Sequence, residues 1–372
     1  MPSLFDPIQL GAIDAPNRIL MAPLTRGRAA PGFVPTEMKA EYYGQRAGAG
    51  LIIAEATGIS VQGLGWPAAP GVWSEEQTEG WKLATKAVHD NGGRIILQLW
   101  HMGRIVHSDF LDGEKPISAS ATTAPGEAYT PTGKKPYVEA RALAVEEVPG
   151  LLDDYRKATA NAMAAGFDGV QIHAANGYLI DQFLRDGTNL RDDEYGGSPD
   201  NRTRLLHEVA QAVAEEAGAD RTAVRLSPNG DSQGTNDSDP GSVFPLAAQK
   251  LADVGIAFLE LREPGPEGTF GNTDVPKLSP EIRKVFKAPL VLNSDYTKES
   301  GQAALDSGIA DAISYGRPFI SNPDLVRRFR EDIPLNGVAE GKGPWDFSPT
   351  WYSNGPEGYV DYPVAEENVA AE

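Results

Sequence analysis

Eight short apolar runs recur along this sequence, and each is followed by a stretch with helical character. The runs are Ile19–Met21, Leu51–Ala54, Ile95–Leu99, Val170–Ile172, Ala223–Leu226, Ala257–Leu261, Leu290–Leu292 and Ala312–Ser314. Each is too short for a helix and lacks strict polar alternation, which is how strands covered on both faces read. Between them, Leu151, Tyr155, Ala158, Ala162 and Ala165 line up at helical spacing, and Asn201–Ala217 has the same character. Ser74 with Gln77 fits a capping box, and Ser279-Pro280 and Asn322-Pro323 each set a cap residue ahead of a proline at the first helical position. Repeated strand-then-helix order predicts a parallel sheet. Eight such units close into a barrel more naturally than they spread into an open doubly wound sheet. No G-x-G-x-x-G follows the first strand, which weakens a dinucleotide-binding alternative. The expected architecture is an α/β, single-domain (β/α)₈ TIM barrel over residues 1–363. A hairpin from Phe5 to Asn17 closes its bottom, a long Gly-, Pro-, Ser- and Thr-rich excursion from Met102 to Glu147 follows the third strand, and residues 364–372 form an acidic tail.

Composition narrows the chemistry. The chain has 372 residues and no cysteine. Disulfides, thiol nucleophiles, cysteine-ligated iron–sulfur clusters and Cys-type zinc sites are therefore excluded. The net charge of −19 disfavours nucleic acid and anionic membranes as partners. No apolar run approaches bilayer-spanning length, and the first residues show neither a basic nor an apolar leader region. A cytoplasmic location is the expectation, in a monomer or a dimer.

In such barrels, chemistry gathers at the C-terminal ends of the strands. Ala22-Pro23-Leu24-Thr25-Arg26 follows the first run, Glu55-Ala56-Thr57 the second, and Trp100-His101 the third, which itself carries Gln98. The fourth ends in His173-Ala174-Ala175-Asn176-Gly177-Tyr178, the fifth holds Arg225, the seventh ends in Asn293-Ser294, and the eighth in Tyr315-Gly316-Arg317-Pro318. Donors, arginines and aromatics on one rim suit a planar, anionic, hydrogen-bonding cofactor better than a metal, because carboxylates are scarce there and only His173 and His101 are candidate ligands.

Each residue has two readings. The loops after strands seven and eight form the common phosphate site of barrels, so Ser294, Gly316 and Arg317 read as a phosphate cradle or as a plain helix-entry turn. Arg225 is either half of a structural ion pair or a cation beneath the electron-poor end of a ring system. If the chain turns helically after the fourth strand, His173 and Asn176 share a face and both can donate to one oxygen, with the Tyr178 phenol beside them. Such an arrangement suits conjugate reduction of an enone; the alternative is a satisfied core histidine beside a loop asparagine.

The motifs in combination resemble the old yellow enzyme family of flavin-dependent ene-reductases over nearly the whole chain. They include Asn17-Arg18, Met21-Ala22-Pro23-Leu24-Thr25-Arg26, Gln98-Leu99-Trp100-His101-Met102-Gly103-Arg104, Gly166-Phe167-Asp168-Gly169-Val170-Gln171-Ile172-His173, Asn176-Gly177-Tyr178, Asp193-Glu194-Tyr195-Gly196-Gly197-Ser198 and Gly316-Arg317-Pro318. The nearest likeness is to the bacterial cyclohexenone reductase-like branch. The resemblance implies non-covalent FMN held by Pro23, Leu24, Thr25, Ala56, Gln98, Arg225, Asn293, Ser294, Gly316 and Arg317. Thr25 would lie near the flavin O4, Ala56 and Gln98 at the ring edge, and Arg225 at the N1–O2 end. His173 and Asn176 would bind the substrate carbonyl, Tyr178 would give the α-proton, and Trp66, Trp100 and Tyr352 would shape the pocket. It further implies NADPH or NADH as reductant and a small enone or enal as substrate, with no metal. Asn293-Ser294 departs from the Ala/Gly-rich pattern common at that loop. Two rivals differ in what they predict: a metal hydrolase on His101, His107 and His173 would be colourless, and a non-catalytic flavin-storing or electron-buffer protein would be yellow but turn over no enone. The iron–sulfur branch of dienoyl-CoA reductases fails for want of cysteine.

Overall fold

All eight apolar runs form strands, and the last pairs with the first. The computed structural model describes residues 1–269, 271–337 and 349–366. Its strands are β1 (Ile8–Leu10), β2 (Ile13–Ala15), β3 (Ile19–Met21), β4 (Ile52–Gly58), β5 (Ile95–Trp100), β6 (Ile117–Ser118), β7 (Glu127–Thr130), β8 (Gly133–Pro136), β9 (Arg141–Ala142), β10 (Val170–Ala174), β11 (Thr222–Leu226), β12 (Phe258–Arg262), β13 (Leu290–Asn293) and β14 (Ala312–Tyr315). Its helices are α1 (Glu37–Gly44), α2 (Glu75–Asp90), α3 (Val148–Ala164), α4 (Leu179–Leu184), α5 (Pro199–Arg202), α6 (Arg204–Ala217), α7 (Pro240–Val254), α8 (Ser279–Val285), α9 (Lys298–Asp306), α10 (Arg317–Ser321) and α11 (Leu325–Arg330). The strands β3, β4, β5, β10, β11, β12, β13 and β14 run parallel in that order and close a barrel. They are buried almost throughout, which explains their unbroken apolar runs.

The predicted hairpin is β1 paired with β2, and it plugs the barrel bottom. Leu10 and Ile13 pack against Leu20, Ile53, Ile96 and Val291 from the strand interiors. At its turn, Gly11 has φ +62°, and a Cβ there would lie 2.1 Å from the Asp220 carbonyl oxygen, so only glycine fits. The excursion after β5 contains the parallel pair β6–β9 and the hairpin β7–β8. Buried Arg104 fastens it to the rim through the carbonyls of Gln233 and Gly234, each at 3.0 Å.

Helix starts are partly as expected. The Ser74–Gln77 capping box is present, opening α2. Ser279 is not a cap but the first residue of α8, because the buried Glu263 carboxylate accepts the Leu278 and Ser279 amides and does the capping from the end of β12. Asn322 does not cap α11 either. It closes α10, donating to the Pro318 carbonyl at 2.8 Å and accepting the Asn336 amide at 2.7 Å, and α11 starts three residues later, behind Asp324. Of the expected acidic tail, residues 367–372 lie outside the described residues.

Candidate active site

A ring of polar side chains crosses the upper barrel interior. Gln98 on β5 donates to Gln171 on β10 at 2.7 Å, and Gln171 donates to Glu260 on β12 at 2.8 Å. Arg225 on β11 grips both oxygens of Glu260 with one nitrogen, at 3.1 and 3.2 Å, and reaches Asn293 on β13 with the other at 2.8 Å. Asn293 donates to the Ser314 carbonyl on β14, and the Ser314 hydroxyl returns to Glu260. Three of the expected residues, Gln98, Arg225 and Asn293, are thus joined in one network. Their joint, Glu260, escaped the sequence reading, although a carboxylate inside the apolar run Phe258-Leu259-Glu260-Leu261 signalled that an interior cation must face it. For Arg225 both readings hold at once. It has a structural ion-pair partner, yet its Nε is buried with no hydrogen-bond partner among the described residues.

Beside this ring, the register of β10 and β11 sets His173 level with Arg225. Trp100, His173 and Tyr178 form an aromatic corner, with centroid separations of 6.4 Å (Trp100–His173), 5.0 Å (Trp100–Tyr178) and 4.9 Å (His173–Tyr178). Two further buried nitrogens there, Trp100 Nε1 and His173 Nδ1, also lack partners among the described residues. Asn176 joins the corner by a different path from the expected helical turn. It sits at φ +60°, a left-handed conformation that asparagine tolerates, and α4 begins only at Leu179. The Ser227 hydroxyl accepts the Asn176 amide at 2.8 Å and Gln233 donates to its carbonyl at 2.8 Å, which holds this bend. Arg262, a second residue missed in the sequence, donates to the Asn176 side-chain oxygen at 3.3 Å. That contact orients the amide so that its NH₂ is available to a ligand.

The electrostatics fix protonation states. Burial, with Arg225 and Arg262 nearby, pushes the His173 imidazolium pKa well below its ordinary value, so the ring is neutral. Burial raises the Tyr178 phenol, with Tyr137 and Tyr352 adding to the effect, so it stays protonated. Burial, and then Arg225, lowers the Arg262 guanidinium to about 10.

The remaining expected residues lie around the same mouth. Ala56 and Trp100 share an apolar cluster against which Trp66 and Tyr178 pack. Trp66 stands 5.5 Å from Tyr352 and 5.5 Å from Tyr129, the latter on β7 of the excursion and also missed. Leu24 packs with Ile320 and Trp351, and a Cβ on Gly316 would touch its Cδ2 at 3.4 Å. Pro23 and Thr25 flank Leu24, half-buried. Arg317 pairs with Asp295, whose carboxylate also takes the Thr269 hydroxyl. Ser294 and Asp295 both have positive φ, +111° and +51°; the second is a left-handed conformation that aspartate tolerates, and the first is the strained one.

Behind Thr25 and Ala56 lies a fully buried ion pair. Lys39 Nζ meets Glu55 Oε1 at 2.6 Å with both side chains 0 % exposed. Glu55 also accepts the Arg26 amide at 3.2 Å and the Tyr43 hydroxyl at 3.2 Å.

The profile of the NADH:flavin oxidoreductase / NADH oxidase family matches residues 3–336. The chain belongs to this family, that of old yellow enzyme. Among solved structures, this old yellow enzyme family member is 63 % identical to the old yellow enzyme homologue from Zymomonas mobilis, covering 98 % of this chain and 100 % of that one with a TM-score of 0.94. Morphinone reductase, solved in complex with tetrahydroNAD, is 42 % identical over all of both chains with a TM-score of 0.91. Among curated relatives, 12-oxophytodienoate reductase 1 of Oryza sativa subsp. japonica is 41 % identical over 98 % of this chain and 93 % of its own length. The family cofactor is FMN, and this old yellow enzyme relative is a flavin-dependent oxidoreductase of the ene-reductase type.

The metal-hydrolase rival loses its ligand set: among the described residues no three His, Asp or Glu side chains gather as a metal site. His101 instead accepts the Gly103 amide at 3.1 Å and is buried. Burial pushes its pKa down from 6.5 to about 3. The unfolded chain therefore binds a proton that the folded chain refuses, so this contribution to stability is full above pH 6.5 and is lost as pH falls toward 3. Thermal unfolding midpoints should decline through that window, and His101→Gln should flatten the decline. Equal slopes for the two proteins would refute the assignment.

Among the described residues no helix is long and apolar enough to cross a membrane.

Proposed function

We propose that this enzyme reduces the activated carbon–carbon double bonds of α,β-unsaturated carbonyl compounds and their analogues (cyclic enones, enals, maleimides and nitroolefins) with NADH or NADPH as the electron source. The observation that carries this reading is the corner formed by neutral His173, Asn176 and protonated Tyr178 beside the Arg225 network.

The site fits FMN. Three buried nitrogens without partners among the described residues, on Arg225, His173 and Trp100, border an apolar wall containing Ala56, and a planar hydrogen-bonding ligand with its bound substrate would satisfy them. Gln98 and Arg225 would hold the pyrimidine side of the ring. Pro23, Leu24, Thr25 and Ala56 would line its dimethylbenzene and O4 edges, and Asn293, Ser294, Gly316 and Arg317 would serve the ribityl phosphate, with Arg317 giving up Asp295. The chemistry that bound FMN would supply is hydride transfer between the nicotinamide and the β-carbon of the alkene. The tetrahydroNAD bound to morphinone reductase supports a nicotinamide partner for this chain.

The chain's own residues do the rest. Neutral His173 and the Asn176 amide donate to the substrate carbonyl and stabilise the negative charge that grows there; loss of one such donor typically costs about a hundredfold or more in rate. Tyr178 delivers the proton to the α-carbon. Trp66, Trp100 and Tyr352 flatten the entrance and favour planar substrates.

Anaerobic titration tests the reading. Purified protein should be yellow, bleach with NADPH or NADH, and regain colour on adding cyclohexenone or a nitroolefin in a one-to-one ratio. A yellow protein that bleaches but never regains colour with any of the four substrate classes would refute the reading and favour the flavin-storing rival.

A further inference from the structure

We infer that Glu260 is a positioning residue that sets the reduction potential of the bound FMN, by holding Arg225 in place and offsetting part of its charge. The inference rests on the proposed placement of Arg225 at the N1–O2 end of the ring, and it concerns a residue to which that placement gives no role.

The geometry is specific. Glu260 is fully buried on β12, and the strand register puts it beside Arg225, which in turn is beside His173. All its contacts are donors: Arg225 on both oxygens, the Gln171 amide at 2.8 Å, and the Ser314 hydroxyl. A fully buried carboxylate needs such donors to offset its desolvation. A structural ion pair would use the forked face of the guanidinium. Here one nitrogen of Arg225 is spent on both carboxylate oxygens, a second on Asn293, and Nε is left without a partner. The carboxylate therefore anchors one corner of the fork and leaves another donor uncommitted. The same carboxylate connects, through Gln171, to Gln98. Both groups expected at the pyrimidine edge are thus oriented from a single charged centre.

The consequence is electrostatic. Reduction places negative charge on the pyrimidine side of the ring, and Arg225 favours that state. A carboxylate within 3.2 Å of Arg225 opposes it. Wild-type potential is then lower than Arg225 alone would give. Such a device restrains the flavin from holding its electrons too tightly to pass them on.

The test measures the two-electron midpoint potential of bound FMN by equilibration with redox dyes, together with the dissociation constant of oxidised FMN by fluorescence quenching. Glu260→Gln, which keeps the shape and removes the charge, should favour the reduced form about tenfold, a rise of about 30 mV. Ser314→Ala, which keeps the charge and removes one donor that screens it, should shift the potential in the opposite direction. Opposite signs separate a charge effect from general loosening of the site. If Glu260→Gln does not fold, the Ser314→Ala shift decides. An unchanged potential in both variants, or a fall in Glu260→Gln, would overturn the inference. Arg225→Gln checks the foundation: it should lower the potential. An unaltered potential there, or a wild-type chain that takes up no FMN, would overturn the placement of Arg225 and this inference with it.

Discussion

Tyr178→Phe should slow reoxidation of the flavin by an enone about 10²- to 10⁴-fold, the usual range for loss of a positioned general acid. Reduction by NADPH or NADH should proceed at close to the wild-type rate. The ring of Tyr178 packs edge-on against Trp100 at 5.0 Å and His173 at 4.9 Å, and phenylalanine keeps both contacts. What the substitution removes is one proton. Burial holds the phenol pKa above its ordinary value of about 10, so the wild-type group carries its proton at neutral pH. The proton is needed only where the α-carbon of the alkene must be saturated, and transfer from the nicotinamide needs no proton at that position. Stopped-flow absorbance at the flavin band separates the two half-reactions. Equal losses in both halves would show that Tyr178 shapes the pocket instead of supplying the proton.

The elements that could be read from the sequence are those whose environment is uniform along the run. A strand covered on both faces must be apolar throughout, so all eight barrel strands announced themselves, and the plug at Phe5–Asn17 followed from its position ahead of the first. The residues that escaped are those whose meaning depends on a partner distant in sequence. Glu260 looks like an intrusion in an apolar run until Arg225, 35 residues earlier, is seen on the next strand. Ser279 looks like a cap until Glu263 takes that role. The helical turn expected at Asn176 is absent, since its left-handed backbone is held by Ser227 and Gln233 and no helical periodicity governs it. Tyr129 could not be linked to Trp66 because the excursion that carries it has no period to register it against the barrel.

Lys39→Met should cost about 3–5 kcal/mol of folding stability, because it strands the Glu55 charge in a fully buried site. The local wiring leaves Glu55 no substitute cation. Lys39 comes from α1 and Glu55 from β4, both are 0 % exposed, and the ammonium also donates to the Gly27 carbonyl. Arg26 and Arg28 also lie near, but the Arg26 guanidinium is committed to the Trp351 carbonyl and the Tyr42 hydroxyl and lies over the Tyr42 and Tyr359 rings, and that of Arg28 is committed to the Gly355, Trp351 and Thr350 carbonyls. Of Arg26, the backbone amide is what hydrogen-bonds Glu55. Burial lowers the Lys39 pKa, and the Glu55 carboxylate beside it works against that by favouring the ammonium. Removing the charge from both sides, in Lys39→Met with Glu55→Gln, should therefore be less damaging than Lys39→Met alone, the reverse of additive behaviour. Urea unfolding midpoints of the four proteins give the coupling directly. The same variants should separate folding from cofactor binding. Glu55 precedes Ala56 and holds the amide one residue beyond Thr25, so the double variant, although folded, should retain FMN more weakly than wild type. A double variant no more stable than the single one would show that the pair is not the unit that holds this corner of the barrel, and the rim segment at Thr25 would then owe its position to the stacked Tyr42–Tyr359 rings, 4.0 Å apart, and the arginines around them.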